Sequence, residues 1–374
     1  MPRRLLLVLN VLMAAAVVLA ACAPAATPTP APTEPPRPLR RQRQMCIRDS
    51  PIPWEAPKGA LVSVPAAAAP VLDGVADEAA WADAPVTKIK VEYGANMGST
   101  TAELKSVYAG DMVYFLLVYA DPTESQQRAP WVLGADGKWT VLVDPNDKGG
   151  DNNLYYEDKF SMLWPIADSV PDFAEKGCGT GCHFDDGTGK PFGNKYFETP
   201  DAMADLWHWK SIRNDAQIDD QYVDATPYDK EKAPEAGRHS DPKGDGSIGY
   251  VTNQTEDKTL PAFALPDNQP APPYYILDSK KVPFDPTKYQ AGDEVPGIVK
   301  GPYTGDRGDI AAGWKYADGQ WTIEFGRKQV TASEKYDVQF TDLTATYYFG
   351  LAIFDNAQVR HAFEAGATPF VFQP

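Results

Sequence analysis

The sequence places two cysteines and a histidine close together. Cys178 and Cys182 are separated by Gly179-Thr180-Gly181, and His183 directly follows the second thiol. This order suits a covalently attached c-type haem, because two thiols form thioethers with the porphyrin and the adjacent imidazole binds the iron. The usual motif has two residues between the cysteines and this one has three. The glycines can absorb the extra residue because glycine adopts backbone angles that other residues avoid.

Three other chemistries use the same residues. Cys178 and Cys182 could form a tight structural disulfide, with His183 incidental. They could hold zinc, although no second ligand pair follows at the spacing of a zinc finger. They could form a redox dithiol, although the sequence has neither a Cys-X-X-Cys motif nor a βαβ context. The three residues alone leave these alternatives open.

The composition restricts the class of protein. The chain has 374 residues, of which 43% are hydrophobic, enough for a packed core in one large or two ordinary domains. The net charge is −16 and no basic run follows the first 50 residues, which argues against a nucleic-acid partner. The 35 prolines, 29 glycines and many aromatic residues indicate short strands joined by turns and long loops.

The first residues have the pattern of an export signal. Residues 1–21 combine a basic start, Arg3-Arg4, with an apolar run from Leu5 to Val18. Leu19-Ala20-Ala21-Cys22 resembles a lipobox, which predicts lipidation of Cys22 and an extracytoplasmic protein anchored to the membrane. An ordinary cleaved signal and an uncleaved anchor are the alternatives, but the apolar run is short for a permanent transmembrane helix.

Residues 22–57 are rich in proline, threonine and alanine and predict an extended, disordered tether. Residues 41–50 do not fit this composition and resemble translated adapter sequence left in assembled environmental reads. We therefore assign no function to Cys46. The signal peptide then need not belong to the domain that follows.

From residue 58 onward the sequence predicts an all-β fold. The predicted strands are 87–93, 102–108, 112–119, 138–143, 158–166, 321–325, 336–340, 345–354 and 368–372. They flank a long, loop-rich, partly helical insert at about 167–310 and show no βα alternation. We therefore predict one domain over residues 58–374, an antiparallel β-sandwich with a functional insert.

The insert contains one segment with helix signals. Residues 200–214 begin with proline, follow Thr199 as a potential cap and carry Asp201 in the first turn. His208 lies between Trp207 and Trp209 in this segment, so we predict that it is the second axial ligand of the iron, with both indoles against the macrocycle. A partly buried histidine bonded to a backbone carbonyl is the alternative. His361 is a second candidate ligand, and His239 is predicted to be exposed.

Residues 144–153 form an acidic run with many side-chain oxygens. Calcium binds such oxygens, but the spacing is not that of an EF-hand and the bidentate terminal glutamate is missing. The run predicts a solvated turn.

Several segments resemble a known family. They are Leu72-Asp73-Gly74 with Trp81, the strand 113–119 running into Asp121-Pro122-Thr123, Glu157-Asp158-Lys159-Phe160, Asp205-Leu206-Trp207-His208-Trp209-Lys210, Trp321-Thr322-Ile323-Glu324-Phe325, and Phe354-Asp355-Asn356. In this order they resemble the haem-binding domain related to the gamma subunits of ethylbenzene dehydrogenase and dimethylsulfide dehydrogenase. The resemblance covers roughly residues 60–374.

The resemblance implies a β-sandwich similar to family 9 carbohydrate-binding modules, with haem among the sheet ends and loops. The named gamma subunits hold b-type haem through methionine and lysine. Met97, Met112 and Met162 are the candidates for that methionine, and Lys328 is the candidate for the lysine. The Cys-X-X-X-Cys-His motif instead resembles the branch of the family with covalently bound haem.

These observations predict an extracytoplasmic cytochrome with one covalent haem c that transfers electrons to or from a respiratory oxidoreductase. A molybdenum oxidoreductase as the partner rests on family analogy alone. A non-haem carbohydrate-binding module of the same fold is the alternative, although it has no need of the Cys-Cys-His motif. An enzyme with haem at an open coordination site is the third possibility.

Overall fold

The computed structural model describes residues 54–147, 151–181 and 195–374. In chain order its strands are β1 Leu61–Pro65, β2 Thr87–Glu92, β3 Ser99–Ala109, β4 Met112–Ala120, β5 Trp131–Leu133, β6 Trp139–Val141, β7 Lys159–Pro165, β8 Ala204–Lys210, β9 Asp219–Val223, β10 Arg238–Ser240, β11 Tyr250–Thr252, β12 Phe263–Ala264, β13 Ile276–Leu277, β14 Val282–Pro283, β15 Glu294–Val295, β16 Ile298–Lys300, β17 Ala311–Ala317, β18 Gln320–Lys328, β19 Tyr347–Phe354, β20 Ala362–Phe363 and β21 Thr368–Phe372. The helices are short: α1 Ala79–Ala82, α2 Phe173–Lys176, and 3₁₀ turns at Gly177–Thr180, Pro266–Asn268, Asp278–Lys280, Pro286–Lys288 and Asp306–Gly308. Within these described ranges no helix is long and apolar enough to cross a membrane.

Thirteen strands form one large, mostly antiparallel sheet. Its order is β10-β9-β8-β7-β19-β20-β2-β3-β4-β18-β17, and β1 and β21 give a second connection between β3 and β19. β1 is parallel to both of its neighbours. The remaining strands form three small sheets, β11-β16-β13, β12-β14 and β15-β5-β6.

The large sheet folds into two layers around one core. Side chains of β7 and β8 meet those of β4 and β18 across it, with ring centroids of Phe115 and Trp207 5.5 Å apart and those of Phe160 and Phe325 5.4 Å apart. β4 reads as a continuous apolar run because both of its faces are covered. Phe115 and Leu117 point into this core, whereas Leu116 packs in a second cluster on the other face. This arrangement confirms the predicted β-sandwich.

The strongest strand predictions are confirmed in place. β2, β4 and β21 occupy the predicted segments almost residue for residue. Gly110, with φ of 61°, forms the hairpin turn between β3 and β4 because glycine accepts the left-handed conformation. The prediction of a strand at 336–340 is wrong, since this segment is a turn followed by irregular chain.

The predicted helix at 200–214 is also wrong. Ala204–Lys210 is a strand, β8, and it pairs with β7 and β9. Thr199, read as a helix cap, instead accepts a hydrogen bond from the backbone N–H of Ala202 in a turn, and Asp201 has a left-handed φ of 64°. The segment 167–310 thus supplies β8, β9 and β10 to the large sheet and is not devoid of strands.

Candidate functional site

β8 sends alternate side chains to opposite faces of its layer. Trp207 and Trp209 point into the sandwich core, where Trp209 packs on Trp321 with ring centroids 4.9 Å apart. His208 points the other way. The expectation that both indoles would surround the same cofactor as His208 came from helical spacing, and the strand separates them from it.

The outer face around His208 is a row of small and polar side chains. In register, His208 lies beside Ser161 of β7, which lies beside Ala352 of β19. Directly paired residues of antiparallel strands share a face, so these three form one row across the sheet. The neighbouring row is Leu206, Leu163 and Gly350. The first row thus carries polar and small side chains, whereas the two leucines of the second row pack with Cys178 and Phe197 in one apolar cluster.

The hydrogen bonds of His208 determine which ring nitrogen is available. The amide nitrogen of Gln221 donates to the Asp219 carboxylate at 3.0 Å, so the amide oxygen of Gln221 faces His208. That oxygen lies 3.3 Å from Nδ1 of His208 and can only accept, so Nδ1 carries the proton. The other nitrogen, Nε2, is buried and has no hydrogen-bond partner among the described residues. The neutral imidazole therefore presents an unused lone pair.

The charges around His208 keep its imidazole neutral. Burial lowers the pKa of His208 well below its ordinary value, and the positive charges of Lys210 and Lys159 lower it further. Lys210 shares the outer face of β8 and forms a buried ion pair with Asp219, to which Arg307 also donates at 2.6 Å. A neutral histidine with one nitrogen held by a second residue is the usual form of a metal ligand.

Cys178 lies on the same outer face as His208. It is buried in the 3₁₀ turn Gly177–Thr180 and packs with Leu163 and Leu206 in one apolar cluster. A Cβ atom on Gly350 would lie 2.5 Å from Cys178 Sγ, so the sulfur rests directly on the backbone of β19. Only glycine leaves room for this approach.

The sheet geometry sets the separation of Cys178 and His208. From Gly350, beneath the sulfur, to His208 is two strands across and two residues along the sheet. Strand spacing and rise give about 12 Å between these positions. Cys178 and His208 thus lie on one face of the sheet, separated by a distance of this order.

His361 lies near the same face. Its ring is 4.4 Å from that of Phe354, and Phe354 also stacks on His208 at 5.8 Å. Lys159 is held above Phe354 at 4.1 Å and donates to the carbonyl of Gln358. Phe354 thus lies between the two imidazoles.

The methionine and lysine candidates do not come to this face. Met162 is buried in the sandwich core. Met112 and Lys328 are paired directly across β4 and β18 on the outer face of the opposite layer. Met97 is half-buried against the core from the connection between β2 and β3.

Several predicted features fall outside the described residues or differ from prediction. Cys182, His183 and Cys22 lie outside the described residues. His239 is half-buried on β10, stacked near Tyr222 at 4.9 Å, where the sequence predicted exposure. The acidic run ends in buried residues, with Asp151 accepting from Arg360 at 2.8 Å, so the solvated turn is wrong for that end.

Sequence reasoning missed Gln221 and Gly350. Gln221 has meaning only once β8 and β9 are recognised as neighbours, because it then lies on the face of His208. An alternation of Trp207, His208 and Trp209 as inward, outward and inward was the signal that could have revealed the strand. Gly350, inside a predicted strand, was the signal for a close approach of another segment.

A family model described as ethylbenzene dehydrogenase matches residues 74–365. No curated protein matches the chain. Among solved structures, a family 9 carbohydrate-binding module from Caldicellulosiruptor kristjanssonii in complex with cellotriose is similar, with 8% identity, 84% of this chain and 94% of that chain covered, and a TM-score of 0.31. The same module in complex with glucose has 7% identity, 83% and 95% coverage and a TM-score of 0.30. Since the family model covers well over half of the sequence, this chain belongs to the ethylbenzene dehydrogenase family.

Proposed function

We propose that this protein is an extracytoplasmic, lipid-anchored c-type cytochrome that passes electrons to or from a respiratory oxidoreductase. The observation that carries the proposal is the buried, unpartnered Nε2 of His208 on the sheet face that also holds Cys178. A bare imidazole nitrogen in a buried position needs a partner, and a metal is the partner that its neutral form suits. The family description names an oxidoreductase, which supports a redox role.

The residues fit a haem in three respects. His208 offers Nε2 to an iron, and Gln221 holds the tautomer by accepting from Nδ1. Cys178 offers a thiol that lies directly over Gly350 on the same sheet face as His208. A bound haem would supply one-electron chemistry at its iron. Burial of His208 keeps water from this nitrogen and favours a stable ligand over an exchanging one.

The exposed aromatic residues do not favour the carbohydrate alternative. Within the described ranges Trp54 and Tyr93 are the aromatic side chains that are exposed, at 45% and 69%. Stacking on sugar rings needs exposed aromatic faces. The outer face of β8 carries none, so the proposal does not include sugar binding there.

Covalent attachment is tested by mass spectrometry after expression with a cytochrome c maturation system. We expect denatured protein to carry the mass of one haem, and a pyridine haemochrome spectrum to report thioether bonds. Cys178→Ser should lose one thioether, whereas Cys46→Ser is the matched control and should be unchanged. Recovery of apoprotein with a disulfide between Cys178 and Cys182 would refute the proposal.

The axial ligand is tested in the same preparation. His208→Ala should keep the covalent haem but give a high-spin or water-ligated spectrum and a shifted reduction potential, because one protein ligand is lost. His239→Ala is the control, since His239 lies on β10, away from His208, and pairs with Asp224. A low-spin spectrum with an unchanged potential in His208→Ala would transfer the role to His361, which lies near the same face.

Location is tested by fractionation. Cys22→Ala should release the protein from membranes into the soluble extracytoplasmic fraction, because the lipid would no longer be attached. Retention of the variant in the membrane fraction would contradict a lipid anchor.

A further inference from the structure

Three segments that carry the family resemblance meet at one point outside the candidate haem site. Asp121 follows β4, Asp158 precedes β7 and Asp355 follows β19. All three side chains are buried, and one carboxylate oxygen from each lies within 4.8 Å of the others. The ends of three strands from both layers therefore bring three carboxylates together.

The donors to these carboxylates are all neutral. Asp158 accepts from the backbone N–H of Ser125 at 2.7 Å, the backbone N–H of Asn356 at 3.0 Å and the indole of Trp321 at 3.2 Å. Thr123 donates to Asp121 through its backbone N–H at 3.1 Å and to Asp355 through its hydroxyl at 3.4 Å. In the part of the chain that the structure describes, none of the three carboxylates forms an ion pair with lysine or arginine.

Two oxygens at this point have no partner. Oδ2 of Asp121 is buried without a hydrogen bond, and so is the hydroxyl of Tyr119, whose side chain is only 1% exposed. Tyr119 lies two residues before Asp121, so the two side chains point to the same face of the sheet, and it pairs with Trp321, whose indole donates to Asp158. An unpartnered neutral oxygen beside three carboxylates is an observation independent of the acidic residues.

Three buried carboxylates without a cation are unfavourable. Burial, opposed by the hydrogen bond from the Thr123 backbone and helped by the Asp355 charge, raises the pKa of Asp121 to about 7. Either protons or a bound cation must neutralise the group. A cation satisfies the lone pairs of all three side chains at once, whereas a proton satisfies one pair of oxygens.

We propose that Asp121, Asp158 and Asp355, with the hydroxyl of Tyr119, form a site for a divalent cation of the calcium class. The atoms that would bind the cation are all oxygens, which favours hard cations over zinc or copper. Two ligands on opposite sides of Ca²⁺ are at most about 5 Å apart, given Ca–O distances of about 2.3–2.6 Å. The oxygen separations of up to 4.8 Å fit that limit. Waters would complete the coordination.

The cation would join three strand ends that do not follow one another in the chain. Asp158 directly precedes Lys159 of β7, and Asp355 directly follows Phe354 of β19. The side chains of Lys159 and Phe354 contact each other on the outer face of these two strands. The proposal does not depend on haem, so it stands or falls separately from the proposed function.

The test uses the full chain after removal of divalent cations. Titration with CaCl₂ followed by calorimetry should show saturable binding at millimolar calcium or below, with a higher melting temperature. Tb³⁺ should bind at the same place and luminesce on excitation of the protein, because Trp321 and Tyr119 adjoin the site. Asp121→Asn and Asp355→Asn should each weaken binding by about tenfold or more, since fewer charges hold the ion.

A second acidic group supplies the matched control. Asp220, Asp241 and Asp337 are also buried and close together. Asp241→Asn removes a carboxylate of the same kind and should leave calcium affinity and Tb³⁺ luminescence unchanged.

The outcomes decide the proposal. Absence of saturable binding in the wild-type chain would overturn it, and so would loss of binding in Asp241→Asn with retention in Asp121→Asn. Far-UV circular dichroism shows whether the variants fold. If the aspartate variants fail to fold, Tyr119→Phe serves instead, because it retains every carboxylate. It should weaken calcium binding by a smaller factor than the aspartate variants. An unchanged calcium affinity would count against the site.

Discussion

Gln221 lies between two polar side chains on the outer face of β8 and β9, and Gln221→Leu tests the reasoning about His208. The substitution keeps a buried side chain of similar length. It removes the acceptor of the His208 Nδ1 proton and the donor to Asp219. The perturbation therefore changes hydrogen bonding while leaving the strand pairing intact.

The magnitude follows from what each partner retains. Asp219 still accepts hydrogen bonds from Lys210 and Arg307. Losing the hydrogen bond from Gln221 to Asp219 therefore lowers the free energy of unfolding by about 0.5–1.5 kcal/mol. His208 would have no partner for either nitrogen, which costs about 1–3 kcal/mol for a buried donor left unpaired. Added apolar surface from leucine offsets part of this. We expect the free energy of unfolding to fall by about 2 kcal/mol.

The assay has two readouts. Denaturant unfolding of the haem-free chain measures the stability change and depends on the structure alone. The spectrum of the haem-loaded chain measures the low-spin fraction, which should fall because the imidazole is no longer held in one tautomer; loss of such a partner weakens metal binding about 10- to 100-fold. Gln217→Leu is the control, since Gln217 donates to the carbonyl of Gly308 at 2.6 Å, away from His208.

The two variants separate a positioning role from a structural one. Gln217→Leu should destabilise the chain without changing the haem spectrum. If Gln221→Leu changes the free energy of unfolding by less than about 0.5 kcal/mol, the assigned tautomer and hydrogen bonds are wrong. If it destabilises but leaves the spectrum unchanged, Gln221 does not orient an iron ligand.

Three further predictions concern stability. Gly350→Val should lower the free energy of unfolding by about 1–3 kcal/mol by overpacking against Cys178 Sγ, and should reduce haem incorporation, as measured by denaturation and absorbance. Burial and neighbouring carboxylates raise the pKa of Asp241 to about 9 in the folded chain. The stabilisation by its protonated carboxyl is therefore complete below about pH 4 and is lost as the pH rises towards 9, at up to about 1.4 kcal/mol per pH unit. Asp241→Asn should flatten this part of the curve of unfolding free energy against pH. Glu324→Leu leaves the backbone N–H groups of residues 73 and 74 and the indole of Trp81 without their acceptor, so unfolding should become easier by about 3 kcal/mol or more in urea titration.

The sandwich could be predicted wherever one face or both faces of a strand carry apolar residues. β2 alternates Ile89 and Val91 with exposed lysines, and β4 is apolar throughout because both faces are covered. These patterns follow directly from burial and need no knowledge of distant partners. The long-range pairing of β7 with β19 could not be read in this way, since it depends on the register of chains far apart in sequence.

β8 shows why the site was harder to predict than the fold. Its seven residues are all buried, yet Asp205, His208 and Lys210 are polar, so the segment has no continuous apolar run and its strand alternation is clear only over Trp207, His208 and Trp209. Each polar side chain is buried with a partner from another element: Asp205 with Arg327 and Lys210 with Asp219. The helix-start signals at Thr199 and in the two residues after it, none of which caps a helix in the structure, then favoured a helix. The two indoles that supported His208 as a candidate ligand point to the opposite face in the strand, so its candidacy rests instead on the buried Nε2.

The pairing of β1 with β21 has a consequence for how the chain reaches its final state. The first and last strands of the described chain lie side by side, and β1 also connects to β3. Ribosomal synthesis delivers β1 long before β21, so the ladder of β1 is complete only after β21 has been made. Contacts between such distant segments form slowly because a large loop must close. A chain shortened at its C-terminal end would leave β1 with an open edge, which is a site for aggregation.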